Sequence, residues 1–127
     1  MREVTHFIGG QNVAGTSGRF SDIYDPNVGE VQARVALATE AEVAAAVENA
    51  KQALPVWAAT NPQRRARVMF EFKRLLEANM DELAELLSSE HGKVVADSRG
   101  DVQRGIDVVE IACGIPHLQK GEYTAGA

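Results

Sequence analysis

Apolar residues in this chain change their period once. Up to about residue 38 they fall in short runs broken by glycine, and from Thr39 onward they return every three or four positions. In the first part, His6 to Val13 (HFIGGQNV) sets two short apolar runs around Gly9-Gly10. A glycine pair accepts the positive φ angles of a tight turn, so this stretch predicts a β-hairpin. Ala14 to Gly18 is small and glycine-rich, and Asp25-Pro26-Asn27 with Gly29 forms a turn cluster. The following EVQARVAL alternates valines at 31 and 35, the pattern of a half-buried strand.

The second part predicts four helices. Thr39 and Glu42 have the spacing of a capping box, in which the hydroxyl accepts from a backbone N–H and the glutamate bonds back to the cap. Val43, Ala46, Val47, Ala50 and Leu54 line one face of the helix that follows, and Pro55 is expected to limit or kink its far end. Asn61-Pro62 is a second start signal, followed by a stripe of Val68, Met69, Phe72, Leu75 and Leu76. A third helix runs from about Asp81 with Met80, Leu83, Leu86 and Leu87 on one side, to Gly92, which suits a left-handed C-terminal position. In the fourth, Val95, Val102, Ile106, Val109 and Cys113 fall along one side before Gly114 and Pro116 stop it.

The reading is an α+β chain: an N-terminal hairpin and short strand, then four helices. That order leaves short strands without cover and several apolar stripes without a common surface, so the chain reads as the opening section of something larger. Its 127 residues are enough for one core, and 45% hydrophobic with 24% charged residues is a globular composition. A net charge of −5 gives no general attraction for nucleic acid or an anionic membrane. The basic cluster Arg64, Arg65 and Arg67 therefore reads as a solvated face or a partner for carboxylates. One cysteine, no secretory signal and no bilayer-length apolar run point to a reducing, cytoplasmic setting.

Few residues present themselves as chemistry. Cys113 lies on an apolar stripe, and a nucleophile needs both a cation or base to favour its thiolate and access to substrate, so the core reading is preferred. His6, His91 and His117 lack metal-ligand spacing, and His91 suits a helix C-terminus. Gly9-Gly10 and Gly15-x-x-Gly18 do not form a phosphate-binding fingerprint. Arg104 can pair with Asp101 or Asp107 three residues away, a surface contact worth only a few tenths of a kcal/mol. From spacing alone that is the favoured reading. Gly100 and Gly105 nevertheless each lower helix propensity, a loss best tolerated where something approaches the backbone closely.

Taken in order, FIGGQNV, YDPNVGEVQARV, ATEAEVAAAVENAKQALPVWAATNPQRRARVMFEFKRLLE and ELAELLSSEHGK resemble the N-terminal region of the NAD(P)-dependent aldehyde dehydrogenase superfamily. The stretch HGKVVADSRGDVQRGIDVVEIACGIPHLQKGEY is most similar to the CoA-acylating methylmalonate-semialdehyde dehydrogenase branch, and the resemblance covers residues 4 to 123. It implies an enzyme that oxidises malonate or methylmalonate semialdehyde with NAD, forms a thioester on a cysteine, loses carbon dioxide and passes the acyl group to CoA. It also implies that Arg104, in the motif GDVQRGI, grips the substrate carboxylate in a complete protein, a task suited to a planar guanidinium.

The same resemblance implies an N-terminal segment of the α/β aldehyde dehydrogenase fold, with 1–38 as hairpin and strands, 39–116 as helices of an incomplete cofactor domain, and 117–127 as a tail. The family's nucleotide-binding turn, oxyanion-stabilising asparagine and nucleophilic cysteine have no counterpart here, and Cys113 does not match the nucleophile's motif. The expectation is therefore a truncated chain with no catalytic residue, no NAD or CoA bound on its own, and no turnover alone. Its expected partners are other aldehyde dehydrogenase chains, through homo- or hetero-association. The alternatives are a non-catalytic module that associates with a full-length relative, or a relic of truncation.

Overall fold

The structure, a computed structural model, describes residues 1–122. Residues 123–127, the end of the expected tail, lie outside the described residues. The chain divides into two compact units: Met1–Ala59 with Ser89–Gly92, and Thr60–Ser88 with the residues from Lys93 onward.

In the first unit, β1 (Arg2–Val4), β4 (Phe20–Tyr24) and β5 (Val31–Ala36) form one sheet in the order β1-β5-β4, while β2 (His6–Ile8) and β3 (Gln11–Val13) form the predicted hairpin. Its turn residues Gly9 and Gly10 have φ of 61° and 79°, angles that only glycine adopts freely. β5 is the central strand, parallel to β1 and antiparallel to β4. Its buried residues are Ala33 and Ala36, while Val35 is half-buried and Val31 exposed. Sequence periodicity missed β1 and β4: three residues are too few to show a period, and β4 is almost wholly exposed. The β4–β5 turn is the expected one, with Asp25 Oδ1 accepting from the Asn27 backbone N–H at 2.8 Å.

Helix α1 (Glu40–Ala59) begins at the expected capping box. The Thr39 backbone N–H donates to Glu42 Oε2 at 2.7 Å, and the Glu42 N–H donates to Thr39 Oγ1 at 3.1 Å. One departure follows, and one expectation is met. The helix continues through Pro55 to Ala59, because Pro55 and Lys51 are both exposed and water can satisfy the carbonyl that proline leaves unbonded. The stripe of Val43, Val47 and Leu54 is exposed, and no residue of α1 is buried.

The second unit packs α2 (Pro62–Ala78) against α4 (Val95–Cys113), with α5 (Ile115–Leu118) touching both. Asn61 caps α2 as expected, its Oδ1 accepting from the Gln63 N–H at 2.8 Å. The covered face of α2 carries Ala66, Met69, Lys73 and Leu76, whereas Val68, Phe72 and Leu75 of the predicted stripe are exposed. Ala66 is the one buried residue of α2, and a small side chain on a packed face permits close helix approach.

α3 (Met80–His91) buries Ala84 and leaves Leu86 exposed. Gly92 follows it at φ 84°, the predicted left-handed stop. α4 keeps its predicted stripe inside, with Ile106 only 1% exposed, except that Val95 in its first turn is exposed. Gly114 has right-handed angles (φ −88°), and Pro116 lies in the first turn of a further short helix rather than ending the structure. Proline is tolerated there because the first turn needs no N–H from it.

Candidate functional site

The residues singled out by sequence occupy separate places. His6 is in β2, His91 ends α3 and His117 is in α5; among the described residues no group of three or more His, Cys, Asp or Glu can hold a metal ion. The glycines at 9, 10, 18 and 29 take positive φ in loops and turns of the strand region. None sits in a strand-to-helix turn with its backbone N–H groups converging on a helix start, so these glycines are turn residues.

Cys113 is buried at the end of the α4 stripe. It lies on the wall of a groove of about 920 Å³ shared with Ala66, Phe70, Lys73 and Glu110. Lys73 is held by Glu77 at 2.5 Å and by Glu110 at 3.4 Å, and the bond to Glu77 chiefly raises its pKa. Arg67, His117 and Lys120 line the same groove, and the thiol itself is buried, as its place on the apolar stripe led one to expect.

Arg104 is different. It projects from the middle of α4 with its side chain 78% exposed, beside a shallow depression of about 290 Å³. Its Nη1 donates to Asp101 Oδ1 at 2.5 Å, the i,i+3 pair that spacing offered; Asp107 instead accepts from Gln103. Among the described residues nothing bonds Nε or Nη2, so one edge of the guanidinium stays open. A side chain at Gly100 or Gly105 would meet nothing within 4 Å, so among the described residues no segment makes the close approach that these glycines suggested.

The structure adds a residue that sequence reading passed over. Lys93, just after the Gly92 stop, donates through Nζ to Asp101 Oδ2. Its side chain is 22% exposed against 37% for Asp101, making it the most enclosed member of the group. Asp101 thus joins two cations, one through each oxygen, and its pKa is lowered chiefly by the Lys93 hydrogen bond. The available signal was a lysine eight positions before an aspartate across a helix start, a separation with no periodic meaning. Ala96, Asp97 and Gly100 complete the depression.

Comparison with known proteins gives this site its setting. Residues 13–126 match the aldehyde dehydrogenase family. A crystal structure described as a methylmalonate-semialdehyde dehydrogenase from Sinorhizobium meliloti 1021, complexed with NAD, is similar to this chain at 62% identity and a TM-score of 0.93, covering 100% of this chain and 26% of that one. The malonate-semialdehyde dehydrogenase of Pseudomonas aeruginosa is 41% identical over 98% of this chain and 25% of its own length. The acylating mitochondrial methylmalonate-semialdehyde dehydrogenase of Arabidopsis thaliana is 47% identical over 94% of this chain and 20% of its own. The chain therefore spans about a quarter or less of the relatives it matches. With strands, helix caps and the GDVQRGI helix all in place, the chain belongs to the aldehyde dehydrogenase family.

Proposed function

We propose that this chain is the N-terminal segment of an NAD-dependent, CoA-acylating malonate- or methylmalonate-semialdehyde dehydrogenase, in which Arg104 binds the substrate carboxylate. The observation that carries the reading is the open Nε–Nη2 edge of an exposed guanidinium whose Nη1 is already anchored, in a chain 62% identical to the NAD-bound relative. A carboxylate meets such an edge with two parallel charge-assisted hydrogen bonds, which fixes direction as well as position. Holding the acid end of a semialdehyde in this way orients its aldehyde end without touching it. On this reading the hydride and acyl steps belong to parts of such an enzyme beyond these residues, and the isolated chain is expected to make no NADH. A reducing, cytoplasmic compartment is part of this reading, supported by the single cysteine; among the described residues no helix is long and apolar enough to cross a membrane.

The test is a chimera in which this chain replaces the matching quarter of the Sinorhizobium meliloti protein, assayed for NADH with malonate semialdehyde, NAD and CoA. Arg104→Gln should raise KM about tenfold to a hundredfold, the usual worth of hydrogen bonds to a charged group. A KM within about twofold of the parent chimera would remove Arg104 from substrate binding.

The uncovered α1 stripe of Val43, Val47 and Leu54 favours a second reading, a non-catalytic module that associates with aldehyde dehydrogenase chains. Mixing this chain with the full-length relative and measuring mass by light scattering separates the two. A stoichiometric complex supports association, and unchanged masses oppose it.

A further inference from the structure

We infer that Lys93 and Asp101 are positioning residues for Arg104, a relay that aims its guanidinium and sets the charge of the depression so that it accepts an aldehyde bearing a carboxylate. This rests on the carboxylate reading of Arg104 and adds what makes that residue competent.

The first support is geometric. A guanidinium on an exposed arginine has several free torsions, and an ordered grip requires one of them to be held. Asp101 holds Nη1 at 2.5 Å. Asp101 is in turn held by Lys93 on its other oxygen, and Lys93 is itself largely enclosed. Order therefore passes outward, from the most enclosed member to the most exposed one.

The second support is charge. Asp97 and Asp101 both line the depression, together with Lys93 and Arg104. Two carboxylates beside one guanidinium would repel an incoming anion, and Asp101 alone would compete for the fork of Arg104. Lys93 balances that charge and saturates the second oxygen of Asp101, so Asp101 needs only one donor from Arg104. The open edge is left to the ligand.

Two measurements test the relay. In the chimera, malonate semialdehyde is compared with propanal, which lacks the carboxylate. Lys93→Gln should lower the preference for malonate semialdehyde about tenfold through KM rather than kcat, and Lys93→Arg should restore it. A preference that survives Lys93→Gln, while Arg104→Gln still raises KM, overturns the relay and leaves the carboxylate reading standing; no effect of Arg104→Gln overturns both. In this chain alone, the heteronuclear NOE of the Arg104 Nε–H group should fall toward that of a mobile side chain in Asp101→Asn and in Lys93→Gln. An NOE equal to wild type in both variants overturns the relay without reference to turnover.

Discussion

Ile106 offers the sharpest test of how the helical unit holds together. The buried apolar positions of the described residues are mostly alanines, and among them Ile106 is the one large side chain that is essentially sealed, at 1% exposure. Shortening it to valine removes about one methylene, worth about 1 kcal/mol. Shortening it to alanine removes about three carbons' worth of transfer free energy, about 2.4 kcal/mol, and leaves a void on the α4 stripe. Partial collapse around that void brings the expected cost to about 3 kcal/mol. In urea unfolding followed by far-ultraviolet circular dichroism, with a slope of about 1.5 kcal/mol/M, valine should lower the midpoint by about 0.7 M and alanine by about 2 M. Trp57 fluorescence is the wrong probe, since that residue lies on α1 in the other unit. Where the alanine variant is unfolded in buffer, the valine variant still carries the quantitative test. A cost below about 0.5 kcal/mol for both would show that Ile106 does not anchor this core and that its burial is incidental.

Other outcomes follow from local chemistry. Thr39→Ala should cost about 1 kcal/mol by unpairing the first turn of α1, read as a lower thermal midpoint and faster amide exchange there. Glu42 is pulled down to about 2 from an ordinary 4.5, first by the Thr39 backbone N–H and then by that of Thr16. Because its folded pKa is depressed, its contribution is complete above pH 4.5 and disappears as pH falls from there through about 2. Carboxyl carbon NMR of Glu42 titrating near 4.5 would contradict the capping account. Gly92→Ala should destabilise by about 1 kcal/mol or more, since φ is 84° and the new Cβ meets Pro26 Cγ at 3.1 Å. Equal urea midpoints for the two proteins would show that the turn relaxes freely.

Local signals were legible wherever the responsible atoms are neighbours in sequence. The Gly9-Gly10 hairpin, the Thr39–Glu42 box, the Asn61 cap and the Gly92 stop each involve groups within about four residues, and each is present. The Arg104–Asp101 pair was readable for the same reason, being one helical turn. The shortage of cover was legible too, but not which stripe would lack it or which edge of a stripe would turn inward. The stripe of α1 is as regular as that of α4, yet among the described residues nothing buries it, and the inward face of α2 is offset toward Ala66 and Lys73. Periodicity reports which residues share a side and says nothing of what lies against it.

Taken by itself, the amino-acid order determined the element types, their caps and turns, and a family resemblance dense enough to single out Arg104. Those depend on short-range bonds and on residue patterns written along the chain. Only the tertiary structure decided that β5 is central, that small residues form most of the core, and that Lys93 and Arg104 share one carboxylate. Each of these needs residues brought together by strand pairing, by helix packing or by the extended entry of the chain into α4 at Val94, and such meetings leave no period in the sequence.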